Sequence, residues 1–346
     1  MGYNIDMRRV SIILIGYGNV GKAFLKLVHD KKGEIDRRFS LEPVVKAVLR
    51  RTGVCYSPHG ILQPEIAEEA WWDGPALEEI LEREGEGVLV ECATSGRETG
   101  QPGLAYIQHA LEKNWHVVTA DKGPLIGRLC RLQGQARRCG VRLGISGATA
   151  AALPALDMAL VSLAGTRIRS FTGILNGTSN YILSRMRGGL DYQSALEEAR
   201  GRGIAEPDPS LDVEGWDTAF KVMLIASSVA ARDFRLDEVG VQGISGLSAA
   251  LLRETAEPGK SLKLIGGMEY LSDEDYRLEV KPQILRRDHP LFGVDGTEKG
   301  ISFETDTLGR LTVIGGRSDP RGAAAALLKD ILNIVWGTLP KVPPWS

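Results

Sequence analysis

Buried strands alternate with helices through the first 145 residues of the chain. Residues 10–15 form a continuous apolar run rich in β-branched side chains, which is typical of a strand buried on both faces. The same reasoning predicts strands at 43–49, 87–92, 116–120 and 141–145, and helices from about 19 to 30, at 103–113 and at 125–139. Because strands and helices follow one another in this rhythm, we predict an α/β fold whose first domain, residues 1–145, is a doubly wound parallel sheet.

The pattern changes after residue 145. Residues 146–165 begin with small side chains and continue as an apolar segment, which we predict to be a helix with no strand behind it. A half-exposed strand follows at 167–174, then helices at 191–202 and 216–231 and strands at 261–269, 276–283 and 300–305. This mixed order predicts an α+β second domain over residues 146–308. We assign residues 309–346 to a strand at 310–315 and an amphipathic helix at 323–337 that return to the first domain.

A glycine-rich turn lies between the first strand and the first helix. Gly16, Gly18 and Gly21 form a G-x-G-x-x-G pattern in the strand–turn–helix context that dinucleotide binding requires. These glycines permit a tight turn, a close approach of the backbone to a pyrophosphate, and close packing of helix on strand. The helix N-terminus, with Asn19 and Val20, offers N–H groups to phosphates. We therefore predict a Rossmann-type domain with these five residues at the cofactor; a glycine turn without a ligand is the alternative.

Arg50 and Arg51 follow the second predicted strand, at the position that distinguishes NAD from NADP in such domains. An acidic residue there would bind the ribose 2′-hydroxyl of NAD, whereas a guanidinium suits the 2′-phosphate of NADP. We therefore predict NADP as the preferred cofactor, with NAD possible, and both arginines as its ligands. The alternative is two solvated arginines at the end of a strand.

Residues 204–227 gather carboxylates around one lysine, Lys221. The acidic residues of this stretch are Glu206, Asp208, Asp212, Glu214 and Asp217. Asp217 and Lys221 are four residues apart, so they share one face of the predicted helix, and a surface ion pair is one interpretation. Because an apolar segment follows directly, we favour a functional site. Carboxylates would hold the ammonium group of a small zwitterion, and the lysine would meet an oxygen that becomes negative during the reaction.

Lys122 is a second candidate, in the segment VVTADKGPL at 117–125. It lies just beyond the C-terminal end of a predicted parallel strand, and this edge of an open α/β sheet carries the ligands. Lys122 could therefore face the nicotinamide or the substrate. A solvated loop lysine is the alternative.

Composition excludes several other classes of protein. The chain has 346 residues and a formal net charge of −2, so no global field attracts nucleic acid or a membrane surface. No apolar run approaches the roughly 18 residues of a membrane span, and the N-terminus lacks the apolar segment of a signal peptide. Four cysteines and five histidines are scattered without metal-ligand spacing. We predict a cytoplasmic protein without a metal site.

Several of these segments together resemble the homoserine dehydrogenase family. The residues that carry the resemblance are GYGNVG at 16–21, VVTADKGPL at 117–125, GILNGTSNYIL at 173–183, GIAEPDPSLDVEGWDTAFK at 203–221 and HPLFGVDGTEKGISFETD at 289–306. Their order and spacing match the family from about residue 9 to 337. The resemblance implies reversible reduction of L-aspartate 4-semialdehyde to L-homoserine by NAD(P)H, in threonine and methionine biosynthesis. It also implies a homodimer formed through the sheet of a substrate-binding second domain, in a short form without a C-terminal regulatory domain.

The resemblance also implies roles for individual residues. Lys221 matches the proton donor, and Lys122 matches a lysine that touches both cofactor and substrate. The remaining matches are Glu206, Asp212 and Asp217 as substrate-binding carboxylates, Thr94 and Ser95 under the nicotinamide ribose, and Gly203 as a backbone contact near the cofactor. Thr178 could contact the substrate, or could serve with Asn176 as a turn and helix cap.

Three positions depart from the family pattern. Asp121 stands where an asparagine usually precedes the loop lysine. Ser146 stands where a glutamate usually contributes to a monovalent-cation site, so we predict weak or absent cation binding. Arg317 and Asp319, in the loop 315–322, replace small residues. These departures leave two alternatives open: a related NAD(P)-dependent dehydrogenase for another small hydroxy or oxo acid, and a non-catalytic NADP-binding protein.

Overall fold

The computed structural model describes residues 8–248, 251, 254–255, 257–272, 275–316 and 319–337. The chain divides into two compact units. The first contains the described residues up to 151 together with 319–337, and the second contains residues 152–316. Each unit is built around its own six-stranded sheet.

The first unit is an α/β unit with a mainly parallel sheet. Its strands are β1 (Arg8–Ile15), β2 (Leu41–Arg50), β3 (Gly53–Tyr56), β4 (Val88–Glu91), β5 (His116–Thr119) and β6 (Leu143–Gly144), and its helices are α1 (Asn19–Phe39), α2 (Leu77–Glu84), α3 (Gly103–Glu112), α4 (Leu129–Arg138) and α10 (Pro320–Trp336). The sheet order is β3-β2-β1-β4-β5-β6, and only β3 runs antiparallel to its neighbour. This order confirms the predicted Rossmann-type, doubly wound sheet.

The first core explains why these strands are continuously apolar. Ile12, Ile13 and Leu14 in β1 are each fully buried, because both faces of the sheet are covered. Phe24 and Leu25 bury the apolar face of α1 in the same core. Helix α10, which comes from the end of the described chain, adds a set of buried side chains to this cluster: Ala324, Leu327, Leu328, Ile331 and Ile334.

The second unit combines an almost entirely antiparallel sheet with helices. Its strands are β7 (Ile168–Ile174), β8 (Val239–Val241), β9 (Lys260–Ser272), β10 (Asp275–Arg286), β11 (Lys299–Thr305) and β12 (Arg310–Gly315), and its helices are α5 (Ala155–Asp157), a π-helical turn (Met158–Ser162), α6 (Gly177–Arg187), α7 (Tyr192–Gly201), α8 (Ser210–Val213) and α9 (Trp216–Ala230). The sheet order is β12-β11-β7-β9-β10-β8, with β8 and β10 parallel. This unit has the predicted α+β character.

The structure differs from two predictions about the later elements. Residues 146–152 form turns, and the apolar helix predicted after the small residues is limited to α5 and the π-helical turn, residues 155–162. The small side chains there accommodate turns, and Ala151 adopts a left-handed conformation with a φ of 52°. Strand β12 does not return to the first sheet, because it pairs antiparallel with β11 in the second. The alternation of Leu311 and Val313 fits an edge strand of either sheet, so sequence alone cannot distinguish the two and the assignment to the first sheet was wrong.

The sequence analysis also missed α6 and the edge strand β3. Residues 177–183 of α6 are all buried, and four of the side chains involved are polar or absent, so no apolar stripe marks the helix. Strand β3 has only four residues and forms a hairpin with β2.

Among the described residues, no helix combines the length and the apolar character needed to cross a bilayer.

Candidate active site

The glycine-rich turn of the first unit has the geometry that its three glycines predict. Gly16 has a φ of +92°, and a Cβ at this position would lie 2.6 Å from the carbonyl oxygen of Cys92. A Cβ at Gly21 would lie 2.1 Å from the carbonyl oxygen of Gly16, so a side chain there would force the helix away from the turn. At Gly18, by contrast, a Cβ would meet no atom within 4 Å. The turn is therefore closed on its inner side and open where the backbone could approach a ligand.

The N-terminus of α1 fits a phosphate. Gly18 is the N-cap and supplies no side-chain cap, and the first turn of the helix contains no acidic residue. Asn19 is exposed and Val20 half-buried at this end of the helix. The first N–H groups of α1 and its positive dipole end therefore remain available to an anion, as a pyrophosphate requires.

Arg50 lies at the end of β2 and is already engaged by an acidic residue. Its Nη1 and Nη2 donate to Oε1 and Oε2 of Glu68 at 3.1 and 2.8 Å. The guanidinium also lies 4.1 Å from the ring centroid of Trp71. Arg51, the other predicted arginine, is exposed in the turn after β2. The sequence analysis gave both arginines the same role. In the structure, Arg50 is held by Glu68 and Trp71, whereas Arg51 lies exposed in the turn.

The loops after β4 and β5 meet at the C-terminal edge of the first sheet. Ser95 Oγ accepts the backbone N–H of Gly103 at 2.9 Å, while Thr94 is exposed. Asp121 Oδ1 accepts the backbone N–H of Gly123 at 3.1 Å, and Lys122 between them is half-buried. Burial raises the pKa of Asp121, although the Ser95 hydroxyl, the Gly123 amide and Lys122 oppose this shift.

Glu91 joins these two loops and was missed by the sequence analysis. It is fully buried at the end of β4, where Oε1 accepts the N–H of Ala93 at 2.7 Å and Oε2 lies 2.6 Å from the Thr119 hydroxyl. The Thr119 hydroxyl in turn accepts the N–H of Asp121 at 2.9 Å. Burial, with a contribution from the charge of Asp121, raises the pKa of Glu91 to about 8. A glutamate within an otherwise apolar strand was the available signal.

Ser146, one of the departures from the family pattern, lies in a polar cluster of the first unit. Its N–H and hydroxyl donate to the buried carboxylate of Asp330 in α10 at 2.9 and 2.8 Å. Lys329 Nζ donates to the Ser146 hydroxyl at 2.9 Å. The absence of a monovalent-cation site here stays a prediction. Asp319 is the N-cap of α10, and Arg317 lies outside the described residues.

The second unit contains a buried polar cluster centred on Asn176. This residue is the N-cap of α6, where its Oδ1 accepts the N–H of Ser179 at 2.8 Å. Its Nδ2 donates to Asp212 Oδ1 at 2.6 Å and to Asp217 Oδ2 at 2.8 Å. One amide therefore holds two carboxylates that come from α8 and α9. Asn176 has the cap role that the sequence analysis considered.

Lys221 completes this cluster. Its Nζ donates to Asp217 Oδ2 at 2.5 Å and to the carbonyl oxygen of Leu175 at 2.9 Å. The Lys221 and Asp217 side chains are each 13% exposed, so they do not form a solvated surface pair. Burial raises the pKa of Asp212; the Asp217 carboxylate adds to this shift and Lys221 opposes it. The result is an ammonium group and two carboxylates held in fixed positions with limited access to water.

Three further predicted residues lie in the same part of the second unit. Thr178 is buried in α6 and donates through Oγ1 to the carbonyl oxygen of Ile204 at 3.1 Å. Gly203 is exposed and has a φ of +68°, and Glu206 is exposed as well. Within the described residues, no hydrogen bond or ion pair holds the Glu206 carboxylate, in contrast to Asp212 and Asp217.

Comparisons with known proteins agree with this arrangement. The profile of the family described as homoserine dehydrogenase matches residues 154–332, just over half of the chain. A homoserine dehydrogenase of Methanocaldococcus jannaschii is 34% identical over 338 residues, which cover 94% of this chain and 98% of that protein. An NAD(+)-dependent homoserine dehydrogenase of Pseudomonas canavaninivorans is 30% identical over 340 residues, covering 95% and 97%.

Solved structures give the same result. A structure from Archaeoglobus fulgidus that is assigned to this family shares 33% identity, covers 94% of this chain and 99% of its own, and superposes with a TM-score of 0.83. The chain belongs to the homoserine dehydrogenase family. As in this family generally, it is an NAD(P)-dependent oxidoreductase that acts on a CH–OH group.

The glycine-rich turn of the first unit and the polar cluster of the second both fit the chemistry of this family. Homoserine dehydrogenases need a dinucleotide site, and the open glycine turn, the uncapped α1 and Arg50 fit one. They also need polar groups for a small substrate, and the cluster of Asn176, Asp212, Asp217 and Lys221 offers a donor and acceptors.

Proposed function

We propose that the enzyme interconverts L-homoserine and L-aspartate 4-semialdehyde, with NADPH and NADP preferred over NADH and NAD. The observation that carries the proposal is the side-chain cluster in which Asn176 and Lys221 hold Asp217 from two sides, at 2.8 and 2.5 Å. A buried ammonium held by a carboxylate is suited to stabilise an oxygen that gains negative charge. Carboxylates beside it suit the ammonium of an amino-acid substrate.

Lys221 is the proposed proton donor. Its ammonium group has three N–H bonds, of which two are directed to Leu175 and Asp217 in the described structure. The third is available to a substrate oxygen. When bound, the reduced nicotinamide supplies the hydride that adds to the aldehyde carbon. Lys221 then gives a proton to the carbonyl oxygen, which produces the primary alcohol; in the other direction it takes this proton back.

The other site residues have supporting roles in this proposal. Asp217 and Asp212 bind the substrate ammonium and orient Lys221, and Thr178 and the exposed Glu206 contribute to substrate binding. Lys122 contacts both cofactor and substrate. The cofactor residues are the glycine turn with Asn19 and Val20, Arg50 and Arg51, Thr94, Ser95 and Gly203.

The preference for NADP rests on Arg50. The described end of β2 presents a guanidinium and not a carboxylate, which suits a 2′-phosphate. One relative is named for its dependence on NAD(+), so family membership alone does not assign the cofactor. Dissociation constants of NADPH and NADH, each measured by fluorescence titration, test this preference. Arg50→Gln should weaken NADPH binding and leave NADH binding nearly unchanged; equal losses for both would contradict the proposal.

A substrate panel tests the reaction itself. Purified enzyme should oxidise L-homoserine with NADP, followed by absorbance of NADPH, and should be far less active on L-serine, L-threonine and 4-hydroxybutyrate. 4-Hydroxybutyrate lacks the ammonium group, so its activity relative to homoserine measures how much Asp212 and Asp217 contribute to substrate binding. Strong preference for a hydroxy acid without an ammonium group would favour the alternative of a related dehydrogenase with another substrate.

We also propose a cytoplasmic homodimer formed through the second sheet. No disulfide joins the four cysteines, which supports a reducing compartment. Leu308, in the turn before β12, and Ile314, on the edge strand β12, are 52% and 48% exposed, which is compatible with an interface at this edge of the sheet. Light scattering after gel filtration measures the molar mass, and a monomer at micromolar concentration would contradict the dimer.

A further inference from the structure

Arg50, the arginine proposed to select NADP, already binds a carboxylate of the same chain. The two terminal nitrogens of Arg50 donate to the two oxygens of Glu68, in the parallel fork geometry that guanidinium groups also use for phosphates. Arg50 is 27% exposed, whereas the Glu68 side chain is 80% exposed. The arginine is therefore a fixed element of the site, and the glutamate approaches it from the solvent side.

The segment that carries Glu68 is anchored to the glycine-rich turn. Trp71, three residues further on, packs against Tyr17 with 5.2 Å between the ring centroids, and Tyr17 lies within the turn itself. The Tyr17 hydroxyl accepts the N–H of Ile66 at 2.8 Å. Trp71 also stacks on the Arg50 guanidinium. Contacts on both sides of Glu68 thus place its carboxylate at Arg50.

The remaining donors of Arg50 do not offer a second binding edge. Its Nε is buried and has no hydrogen-bond partner within the described structure. The edge formed by Nη1 and Nη2 is the one that can receive an anion bidentately, and Glu68 occupies it. Arg50 in turn holds the pKa of Glu68 below its usual value, so this carboxylate is ionised at neutral pH.

We propose that Glu68 is a cofactor-specificity residue that competes with the 2′-phosphate of NADP for the Nη edge of Arg50. The inference rests on the proposed role of Arg50. A 2′-phosphate must displace Glu68, so the ion pair between Arg50 and the phosphate replaces the one between Arg50 and Glu68. A bare 2′-hydroxyl requires no displacement and can donate to Glu68 while the ion pair persists. Glu68 consequently narrows the difference in affinity between NADP and NAD cofactors.

Glu68→Gln tests the competition, because glutamine keeps the shape and removes the charge. The dissociation constant of NADPH, measured by fluorescence titration without substrate, should fall about three- to tenfold, as expected for release of an exposed but bidentate ion pair. That of NADH should rise or change less than about twofold. Glu69→Gln, in the same exposed turn, is the matched control and should leave both constants unchanged. An unchanged or weaker affinity of Glu68→Gln for NADPH would overturn the inference.

The double variant Arg50→Gln/Glu68→Gln shows whether the effect passes through Arg50. When Arg50 is already replaced by glutamine, we expect Glu68→Gln to have no further effect on NADPH binding. If Glu68→Gln still increases the affinity for NADPH in that variant, direct competition for Arg50 is contradicted. The single variant Arg50→Gln separates this inference from the proposed function. If Arg50→Gln weakens NADPH binding selectively while Glu68→Gln changes nothing, the cofactor assignment stands and the competition is wrong. If Arg50→Gln affects NADPH and NADH equally, the assignment itself is wrong.

Discussion

The polar sites of the two units are constructed in different ways. In the first unit, the dinucleotide turn is largely backbone: Gly16 and Gly21 allow a close turn, and the N-terminus of α1 has no side-chain cap. In the second unit, the site is a network of side chains in which Asn176 bridges two carboxylates that lie 36 and 41 residues further along the chain. A backbone site tolerates most side-chain changes except those that add a Cβ, whereas a network site depends on each donor and acceptor.

The largest effect is expected at Lys221, in the network site. Lys221→Met keeps most of the side chain and removes the ammonium group. We expect kcat for homoserine oxidation to fall about 10²–10⁴-fold, because general acid–base help of this size is lost. NADPH binding, which depends on the other site, should persist. Lys281→Met is the matched control, since Lys281 is 41% exposed on β10. Loss of less than about tenfold in kcat would exclude Lys221 as the proton donor.

Asn176→Asp tests the network without removing the helix cap. Aspartate caps helices as well as asparagine, but it cannot donate to Asp212 and Asp217 and adds a third carboxylate. We expect the free energy of unfolding of the second unit to fall by about 1–3 kcal/mol and KM for homoserine to rise. Thermal unfolding and steady-state kinetics measure both. Asp191→Asn is the converse exchange at the N-cap of α7, where the side chain accepts the backbone N–H and the hydroxyl of Ser194. A similar effect of both exchanges would contradict the bridging role.

Gly21→Ala tests the backbone site. The added Cβ would lie 2.1 Å from the carbonyl oxygen of Gly16, so the turn and α1 must move apart. Overpacking of this kind costs about 1–3 kcal/mol, and we expect NADPH binding to weaken by about tenfold or more. Gly33→Ala is the control in the same helix; its Cβ would have a single neighbour at 4.0 Å, Arg37 Nη1. This exchange should stabilise α1 by about 0.5–1 kcal/mol without changing NADPH affinity. Equal binding by both variants would show that the turn does not form the site.

Sequence spacing predicted the contacts that are local and missed those that are distant. The glycine turn and the pair of Asp217 and Lys221 lie within one turn or one helix, so their periodicity identifies them. Asn176 could be recognised as a cap, but its bonds to Asp212 and Asp217 depend on how three helices pack. Similarly, a guanidinium at the end of β2 was predictable, whereas its partner Glu68 comes from a segment without periodicity, 18 residues away.

Glu91 illustrates a second limit of sequence reasoning, because a lone glutamate in an apolar strand does not reveal which groups surround it. The structure places it between the backbone of Ala93 and the Thr119 hydroxyl, at the edge of the sheet that carries Lys122. Its neighbours include a second carboxylate, Asp121, which raises the pKa of Glu91 further. The environment of this carboxyl group, and not its position in the sequence, makes it titrate near neutral pH.

This environment predicts a stability effect that depends on pH. The pKa of Glu91 rises from an ordinary value of 4.5 to about 8 on folding, so between these values the folded protein retains a proton that the unfolded chain loses. Stability from this group is therefore fully present below about pH 4.5 and is lost as the pH rises through 8. Glu91→Gln keeps an acceptor for Ala93 and a donor for Thr119 but cannot ionise. We expect its urea midpoint relative to the parent protein to increase from pH 5 to about 8 and to level off above that value.

Glu112→Gln, at the exposed end of α3, is the control for this series. Its urea midpoint should differ from that of the parent protein by the same small amount at every pH. A constant difference for Glu91→Gln as well would mean that Glu91 is ionised in the folded protein throughout the range. The hydroxyl of Thr119 would then donate permanently to Glu91, and its proton would not be available to the carbonyl oxygen of Asp121, 3.4 Å away. If the midpoint difference instead increases with pH, the loop that carries Lys122 is supported by a neutral carboxyl group. Glu91 then supports the first site through a small side-chain network, as Asn176 does in the second.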